Sequence, residues 1–386
     1  MAVSLAQAVA AVARAPAAQV GGHDLAAAEA MAEAASAWPS PALRIGTSRL
    51  TARLVAGVTL PLPVFGTVGA ARRVADAEAR GVRADAGLAL RDLRYRVIVA
   101  WIDLVRTHAD LGAQQVAAQQ AAELELIARG RRAAGTAADV DVTVAGAARA
   151  RATVAVAAAA RAEQAASAEL AGLLGWDPGR ALRADGALVT GPGGELAGLR
   201  RRLAGHPEHA AAQQHVAVAE AGVDAAAVQR WPVIAVEGEL DYDDDTIAGA
   251  TPWARSDARV GVAIELPIFA HVGDRIRAAQ AAAEAQRARL AALDATLDGR
   301  LTATYRRWQA AAEQLAATER DVMPATEQAA ALSMQAYREG ARDLASALVA
   351  ARDLASARAE LDAVRAAAAL AFAELAVASG QDGDAR

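Results

Sequence analysis

The chain has 386 residues and a net charge of −5, and it shows no clustered basic face of the kind that binds nucleic acid. The absence of cysteine excludes disulfides, thiolate metal sites and a cysteine nucleophile. Alanine supplies most of the 54% hydrophobic fraction and aromatic residues make up only 3%, a composition that favours closely packed helices over a large globular core.

The beginning of the chain already predicts a helix. Residues 4–8, Ser-Leu-Ala-Gln-Ala, read as a helix start, and no signal peptide is visible before them, although an exported protein needs one. No run of about 20 apolar residues follows, so we expect no transmembrane helix. The nearest approach, Thr153 to Ala160, is short and flanked by arginines.

The sequence contains an internal duplication. Gly57 to Gly69 matches Gly261 to Gly273 at a constant offset of 204 residues, with the glycine, proline, phenylalanine and final Val-Gly in common. Further matches lie upstream and downstream: Trp38-Pro39 with Trp231-Pro232, Ala15-Pro16 with His206-Pro207, and Gly135–Val140 with Gly340–Leu344. We therefore divide the chain into a first repeat (1–175), a Gly/Pro-rich linker (176–205), a second repeat (206–380) and a flexible tail (381–386).

Each repeat is predicted to contain a helix, two strands, a very long helix and another helix. Apolar residues occupy the even positions from Leu50 to Leu62, and period-two alternation recurs in Ile234 to Tyr242 and in Val260 to Ile268. Residues 38–47 form a weaker strand. Such alternation is typical of a sheet with one apolar and one polar face.

The long helices need partners along their length. A helix from about Val68 to Ala134 would span on the order of 100 Å. Large side chains recur at steps of three and four, as in a coiled coil, and we expect three aromatic residues to pack in that seam: Trp101, Tyr305 and Trp308.

Four strands cannot close a barrel. Strands that cross lipid must close, because an open edge leaves unpaired backbone groups in hydrocarbon. Three copies of the chain would supply about twelve strands around a water-filled lumen, with long helices around the same axis. The predicted fold is therefore mostly α with a small β part: a coiled-coil helical barrel plus four amphipathic strands per chain in a trimeric transmembrane β-barrel.

The sequence resembles the TolC-type outer-membrane efflux family over nearly its whole length. The paired Leu-Pro-Val-Phe-Gly and Leu-Pro-Ile-Phe-Ala segments carry this resemblance, as does Tyr337-Arg338-Glu339-Gly340 followed by Asp343-Leu344. Residues 38–43, Trp-Pro-Ser-Pro-Ala-Leu, resemble the heavy-metal (CzcC-like) subgroup. The resemblance implies a homotrimeric channel in the outer membrane that extends into the periplasm, and as partners an adaptor protein and an inner-membrane pump of the resistance-nodulation-division type.

The resemblance also implies a periplasmic gate. In the family the helix ends close the tunnel, and here these ends fall near 135–142 and 340–349. Our hypothesis is that Arg342 pairs with Asp139 or Asp141 across neighbouring helices, while ordinary capping charges are the alternative. Asp343 belongs to the same end, and Ser346 and Val349 stand where some relatives have an aspartate ring.

Other candidate sites are weaker. The junctions between strands and helices carry Pro63, Phe65, Gly66, Pro267 and Phe269. The acidic stretch 241–245 is expected to be a solvated loop at a hairpin tip, and His206, His209 and His215 are expected to be surface residues and not metal ligands. No nucleophile or phosphate-loop motif occurs, so we predict neither an enzyme nor a cofactor. The alternative function is a periplasmic coiled-coil adaptor or scaffold.

Overall fold

A computed structural model of the chain describes residues 1–48, 53–191, 193–243, 255–268 and 271–381. The helices are α1 (Leu5–Ala11), α2 (Pro16–Ala35), α3 (Thr67–Ala133), α4 (Asp139–Leu174), α5 (Leu196–Arg202), α6 (Pro207–Val228), α7 (Val272–Ala317), α8 (Met323–Arg338) and α9 (Leu344–Ala378). The strands are β1 (Ala2–Val3), β2 (Ala42–Ser48), β3 (Arg53–Leu62), β4 (Arg183–Ala184), β5 (Val233–Asp243) and β6 (Arg255–Glu265).

Both repeats have the predicted order of elements. The long helix α3 covers 67–133 where the sequence predicted 68–134. Pro16 and Pro207 each occupy the first residue of a helix, where the fixed φ of proline suits the helix and its missing N–H costs nothing. The second repeat differs in one respect, because its long helix is interrupted by a π-helical turn at Thr318–Val322. Pro324 follows at once and cannot donate to the preceding turn, which accounts for the break.

The chain divides into two compact units, and the first comprises residues 1–21, 87–207 and 294–386. Its largest buried cluster surrounds Trp101, whose indole nitrogen donates a 2.9 Å hydrogen bond to the carbonyl of Val3. Tyr305 and Trp308 pack against a second cluster. The prediction that these three aromatic side chains serve as packing residues is confirmed.

The stretch from 176 to 205, predicted to be a linker, lies within the first unit. Its strand β4 pairs in parallel with β1. A Cβ on Gly193 would lie 2.8 Å from Leu375 Cδ2 and 2.9 Å from the Trp308 ring, and a Cβ on Gly191 would lie 2.9 Å from Phe372 Cζ. Glycine is required here because the backbone runs directly over two helices.

The second unit comprises residues 22–86 and 208–293 and contains an antiparallel four-stranded sheet in the order β2-β3-β5-β6. The register places aliphatic side chains on one face: Leu43, Ile45, Leu54, Val58, Leu60, Ile234, Val236, Leu240, Val260, Val262 and Ile264. The opposite face carries Arg44, Thr59, Glu237, Glu239, Asp241, Arg259 and Glu265. Val260 is 85% exposed and Ile45 is 69% exposed, so the apolar face is open. The predicted amphipathic strands are confirmed, although β2 begins at residue 42 and not at 38.

The expectation that the acidic stretch 241–245 forms a solvated loop needs correction in part. Asp241 does not lie at a solvated tip, because it belongs to β5, is 4% exposed and lies 3.6 Å from Arg259 Nη2. Tyr242 and Asp243 complete β5, and residues 244 and 245 lie outside the described residues, as do the first hairpin tip (49–52) and the tail from 382 onward.

One described helix, α4, is long and apolar enough to cross a membrane by length and composition alone, a test that the core helix of a soluble protein can also pass. Only 11% of its most apolar window is buried within the chain. The many alanine and valine residues of α4 account for this, although arginines interrupt the apolar run.

Candidate gate and strand–helix junctions

Two matching turns join α3 to α4 and α8 to α9. Each first helix ends in a glycine with positive φ, 75° at Gly135 and 79° at Gly340, a conformation in which a Cβ is strained. Beyond each glycine the next amide closes the turn, from Thr136 to the Arg131 carbonyl at 2.9 Å and from Ala341 to the Ala336 carbonyl at 2.8 Å. The glycines are 205 residues apart, so the predicted correspondence of the two helix ends is confirmed.

The helices that leave these turns are capped in two different ways. Asp343 caps α9 by accepting a 3.1 Å hydrogen bond from the backbone amide of Ser346. Its equivalent in the first repeat is Ala138, which has no acceptor, and there the carboxylate of Asp141 accepts from the Ala138 amide at 3.2 Å. Both aspartates lie at helix N-termini, where negative charge is stabilised. Local capping is therefore the role that the chain itself gives to Asp141 and Asp343.

Arg342 forms no ion pair with Asp139 or Asp141 within the described part of the chain. Asp139 is instead in contact with Arg132 of its own turn, and both side chains are exposed. Arg342 is exposed and borders a groove between α8 and α9 that Ser346 and Val349 also line. The structure thus places four of the six candidate gate residues at one helix end and Asp139 and Asp141 at the other.

A buried cluster beneath the turns joins the two helix ends. It consists of Leu124, Ala128, Ala145, Tyr337, Leu344 and Ala347. Arg131 lies over the ring of Tyr337, 4.9 Å from its centroid, and donates a 3.0 Å hydrogen bond to the Tyr337 carbonyl. The Tyr337 side chain is 2% exposed, and burial raises the pKa of its hydroxyl. Arg131 therefore ties the end of α3 to the end of α8.

Sequence reasoning missed Arg131 and a second polar contact nearby. The Glu125 side chain is 8% exposed and binds Arg129 at 2.5 Å and Arg149 of α4 at 3.0 Å, which fastens α3 to α4. The position 205 residues further on is Ala330, which is buried among apolar side chains. Comparison of the two repeats could have revealed a charged residue on an otherwise apolar face.

The strand–helix junctions share a local turn. The Val64 amide donates to the Leu62 carbonyl and the Ile268 amide to the Leu266 carbonyl, both at 2.9 Å. Pro63 and Pro267 lie inside these turns, and Gly66 has a φ of 76°. Phe65 stacks on Trp231 with centroids 5.4 Å apart and an angle of 10° between the rings. Phe269 lies outside the described residues.

The three histidines at the start of the second repeat have different surroundings. His206 is 1% exposed, so the expectation that it lies on the surface was wrong; its Nε2 lies 3.3 Å from the Val377 carbonyl. His209 contacts Gln213, and His215 contacts Asp85 at 3.1 Å. Among the described residues no group of three or more His, Asp or Glu side chains is arranged to hold a metal ion.

Comparison with known proteins shows the fold of the chain and a family resemblance in its second half. No curated protein matches the sequence. The chain is similar to the outer-membrane channel OprN (22% identity, TM-score 0.79, 97% of this chain and 89% of that one). It is also similar to VceC from Vibrio cholerae (19%, 0.77, 98% and 96%) and to MtrE from Neisseria gonorrhoeae in its open state (17%, 0.76, 98% and 89%). Likeness at these identities shows a shared fold. Residues 199–381 match the family model for outer membrane efflux proteins.

Proposed function

We propose that the chain is one subunit of a homotrimeric efflux duct in the outer membrane, a passive conduit that extends into the periplasm. The observation that carries this proposal is the four-stranded sheet, with one exposed aliphatic face and one charged face. An exposed apolar sheet of this kind is unfavourable in water but suits a barrel wall with lipid outside and water inside.

The strand directions favour closure by identical copies. All neighbours in the order β2-β3-β5-β6 are antiparallel, so the outer strands β2 and β6 run in opposite directions. The β6 strand of one subunit can then pair antiparallel with β2 of the next. Three copies supply twelve strands and leave no open edge in lipid.

The height of the apolar face suits a bilayer. From Leu54 to Leu62 the strand β3 advances eight residues, or about 26 Å at ~3.3 Å per residue. A tilt of about 40° reduces this to roughly 20 Å along the membrane normal, close to the ~25 Å apolar band of transmembrane barrels. A scaffold protein made only of helices would have no use for such a face, which is why we prefer the duct to the coiled-coil adaptor.

We place the gate at the two helix ends. Within the described chain Arg342 forms no ion pair with Asp139 or Asp141, and it lies on the same helix end as Val349. In the trimer we expect it to pair with Asp139 or Asp141 of a neighbouring subunit and to favour the closed mouth. Each exposed pair contributes about 1 kcal/mol or less, but three symmetric copies can bias a two-state gate. Arg342→Ala should raise the resting conductance in planar bilayers, and an unchanged closed state would refute the clamp.

The partners follow from this assignment. A duct of this kind needs an adaptor protein in the periplasm and an inner-membrane pump of the resistance-nodulation-division type to load it, and the pump sets the exported compound. A passive duct does not chemically change the solutes that pass through it, so we assign no catalytic activity and no cofactor to the chain.

Cross-linking tests the closure directly, because the chain has no cysteine of its own. Ala42 of β2 and Ala263 of β6 lie on the polar face near the same end of the sheet. The double variant Ala42→Cys/Ala263→Cys, treated with a short bis-maleimide, should give covalent trimers in SDS, whereas either single variant should give none beyond dimers. Conductance in planar bilayers should accompany the trimers. A water-soluble monomer without conductance would refute the duct and favour the scaffold.

A further inference from the structure

The end of the sheet next to the helices carries an unusual cluster in the second repeat. Arg230 lies over the ring of Trp231, 5.4 Å from its centroid, and Trp231 stacks on Phe65. Arg275 of α7 donates a 3.1 Å hydrogen bond to the side-chain oxygen of Gln229, which places a second guanidinium beside the same segment. We call Arg230, Trp231, Phe65 and Arg275 the junction cluster.

The two arginines of the junction cluster have no carboxylate partner among the described residues, and both are exposed. Neighbouring arginines behave differently, since Arg277 contacts Asp274 and Arg73 lies 3.9 Å from Asp224. The equivalent positions in the first repeat are alanines, residues 37 and 71, so the arrangement is specific to the second repeat. Two exposed guanidinium groups on contacting segments, neither with a carboxylate partner, suit a phosphate group.

The position of the junction cluster indicates where that phosphate comes from. Trp231 precedes β5 by two residues. It therefore lies at the end of the sheet where Ile234 and Ile264 are the last paired residues of the aliphatic face. Arg275 is the fourth residue of α7, which puts it about 4.5 Å from the helix start along the axis. The headgroup layer on each side of a bilayer is about 5–7 Å thick. Trp231 is 47% exposed, and half-exposed tryptophans are favoured at this depth.

We propose that the junction cluster binds the phosphate of a phospholipid headgroup in the membrane leaflet next to the helices, with three such sites in the trimer. Arg230 and Arg275 contact the phosphate, while Trp231 and Phe65 lie at the boundary between headgroups and acyl chains. This inference rests on the proposed function, because it requires the aliphatic sheet face to meet lipid.

Lipid-dependent stability tests the headgroup contact. Conducting trimers are reconstituted in nanodiscs of phosphatidylglycerol or of phosphatidylcholine, and thermal melting is followed for each. The wild type should melt higher in phosphatidylglycerol, and Arg230→Gln/Arg275→Gln should lose most of that difference. Arg287→Gln is the matched control, because Arg287 also lies on α7 but is paired with Glu220 at 2.6 Å, and it should keep the difference.

Fluorescence quenching tests the depth of the tryptophan. The emission of each tryptophan is identified as the part that is lost in Trp231→Phe or in Trp308→Phe. Bromine atoms placed high on the acyl chains should quench the emission of Trp231 and should leave that of Trp308 unchanged. If dissolved acrylamide quenches the emission of Trp231 and brominated lipid does not, the ring faces the lumen and the proposal is overturned.

The remaining outcomes separate the two proposals. Equal melting of the double variant and the wild type in phosphatidylglycerol would overturn the headgroup site alone, since the trimers still conduct. An equal rise in melting temperature with inorganic phosphate in detergent would also overturn it, because the site would then be a general anion site. Failure to obtain conducting trimers would count against the duct itself.

Discussion

Replacement of Arg131 by alanine should loosen the contact between the two helix ends. The guanidinium contributes a 3.0 Å hydrogen bond to the Tyr337 carbonyl and lies 4.9 Å from the centroid of its ring. It acts between segments 206 residues apart in sequence, so no local interaction can replace it. Arg132 provides a matched control in the next position, because its partner Asp139 belongs to the same turn and both side chains are exposed.

The expected loss can be worked from these contacts. A hydrogen bond from a charged donor contributes about 1.5 kcal/mol, and a partly buried cation–π contact contributes about 1 kcal/mol. The two terms share one side chain and are not fully additive, so we expect a net loss of about 2 kcal/mol, or roughly a 30-fold rise in local opening. The exposed Arg132 pair should contribute ~0.5 kcal/mol, a change of about twofold.

Amide hydrogen exchange measures this local opening in the intact trimer, where a single free energy of unfolding is not defined. Peptides covering 336–343 should exchange about 30-fold faster in Arg131→Ala and no more than about twofold faster in Arg132→Ala. Arg131→Lys should fall between them, because a lysine retains the charge but not the planar fork. Equal exchange in the two alanine variants would refute the view that Arg131 ties the helix ends together.

Three further predictions concern single side chains. The Tyr337 hydroxyl has no hydrogen-bond partner in the part of the chain that the structure describes, so Tyr337→Phe should leave thermal melting unchanged or raise stability by up to about 1 kcal/mol; lower melting would mean that the trimer supplies a partner. The hydrogen bond from the Ser346 hydroxyl lowers the pKa of Asp343. The Asp343 cap therefore stabilises α9 fully above about pH 4, and this stabilisation is lost as pH falls through the lowered pKa. Amide exchange at the start of α9 should accelerate in acid, and Asp343→Asn should abolish that acid dependence. Burial raises the pKa of Asp362 despite the opposing attraction of Arg365, and Asp110 adds repulsion. The charged carboxylate therefore opposes folding at neutral pH, and less so as pH falls through the raised value. Asp362→Asn should therefore melt higher than the wild type near pH 7 and equally near pH 4, and a difference that persists in acid would contradict this reasoning.

The sequence predicted the features that follow from periodicity and from backbone constraint. Alternation of apolar and polar residues gave the two faces of the sheet, because side chains in a strand have a period of two. The absence of proline after Pro63 gave the length of α3 to within one residue at each end. Gly135 and Gly340 marked the helix ends because glycine favours the positive φ that both adopt.

Features that depend on packing between distant segments could not be predicted in the same way. Arg131 reads as an ordinary residue at a helix end, and only the fold brings it to Tyr337. Glycine and proline between 176 and 205 suggested a linker, but Gly193 is glycine because the chain passes over Leu375. The fully buried ring of His206 was likewise not evident, since a polar residue beside a helix start usually faces water.

The two repeats keep one backbone but carry different chemistry at the mouth. Equivalent positions 205 residues apart hold Ala138 and Asp343 at the caps, and Asp141 and Ser346 three residues later. The buried charge at Glu125 likewise faces an apolar counterpart in the second hairpin. A trimer of such chains has six hairpins of two alternating kinds around its mouth, because each chain supplies one of each. Contacts between neighbouring hairpins then join unlike partners, so Arg342 of one kind can meet Asp139 or Asp141 of the other. In the proposed duct the duplication supplies the ring of helices, and the divergence of the two copies supplies the unlike charges that the gate proposal pairs.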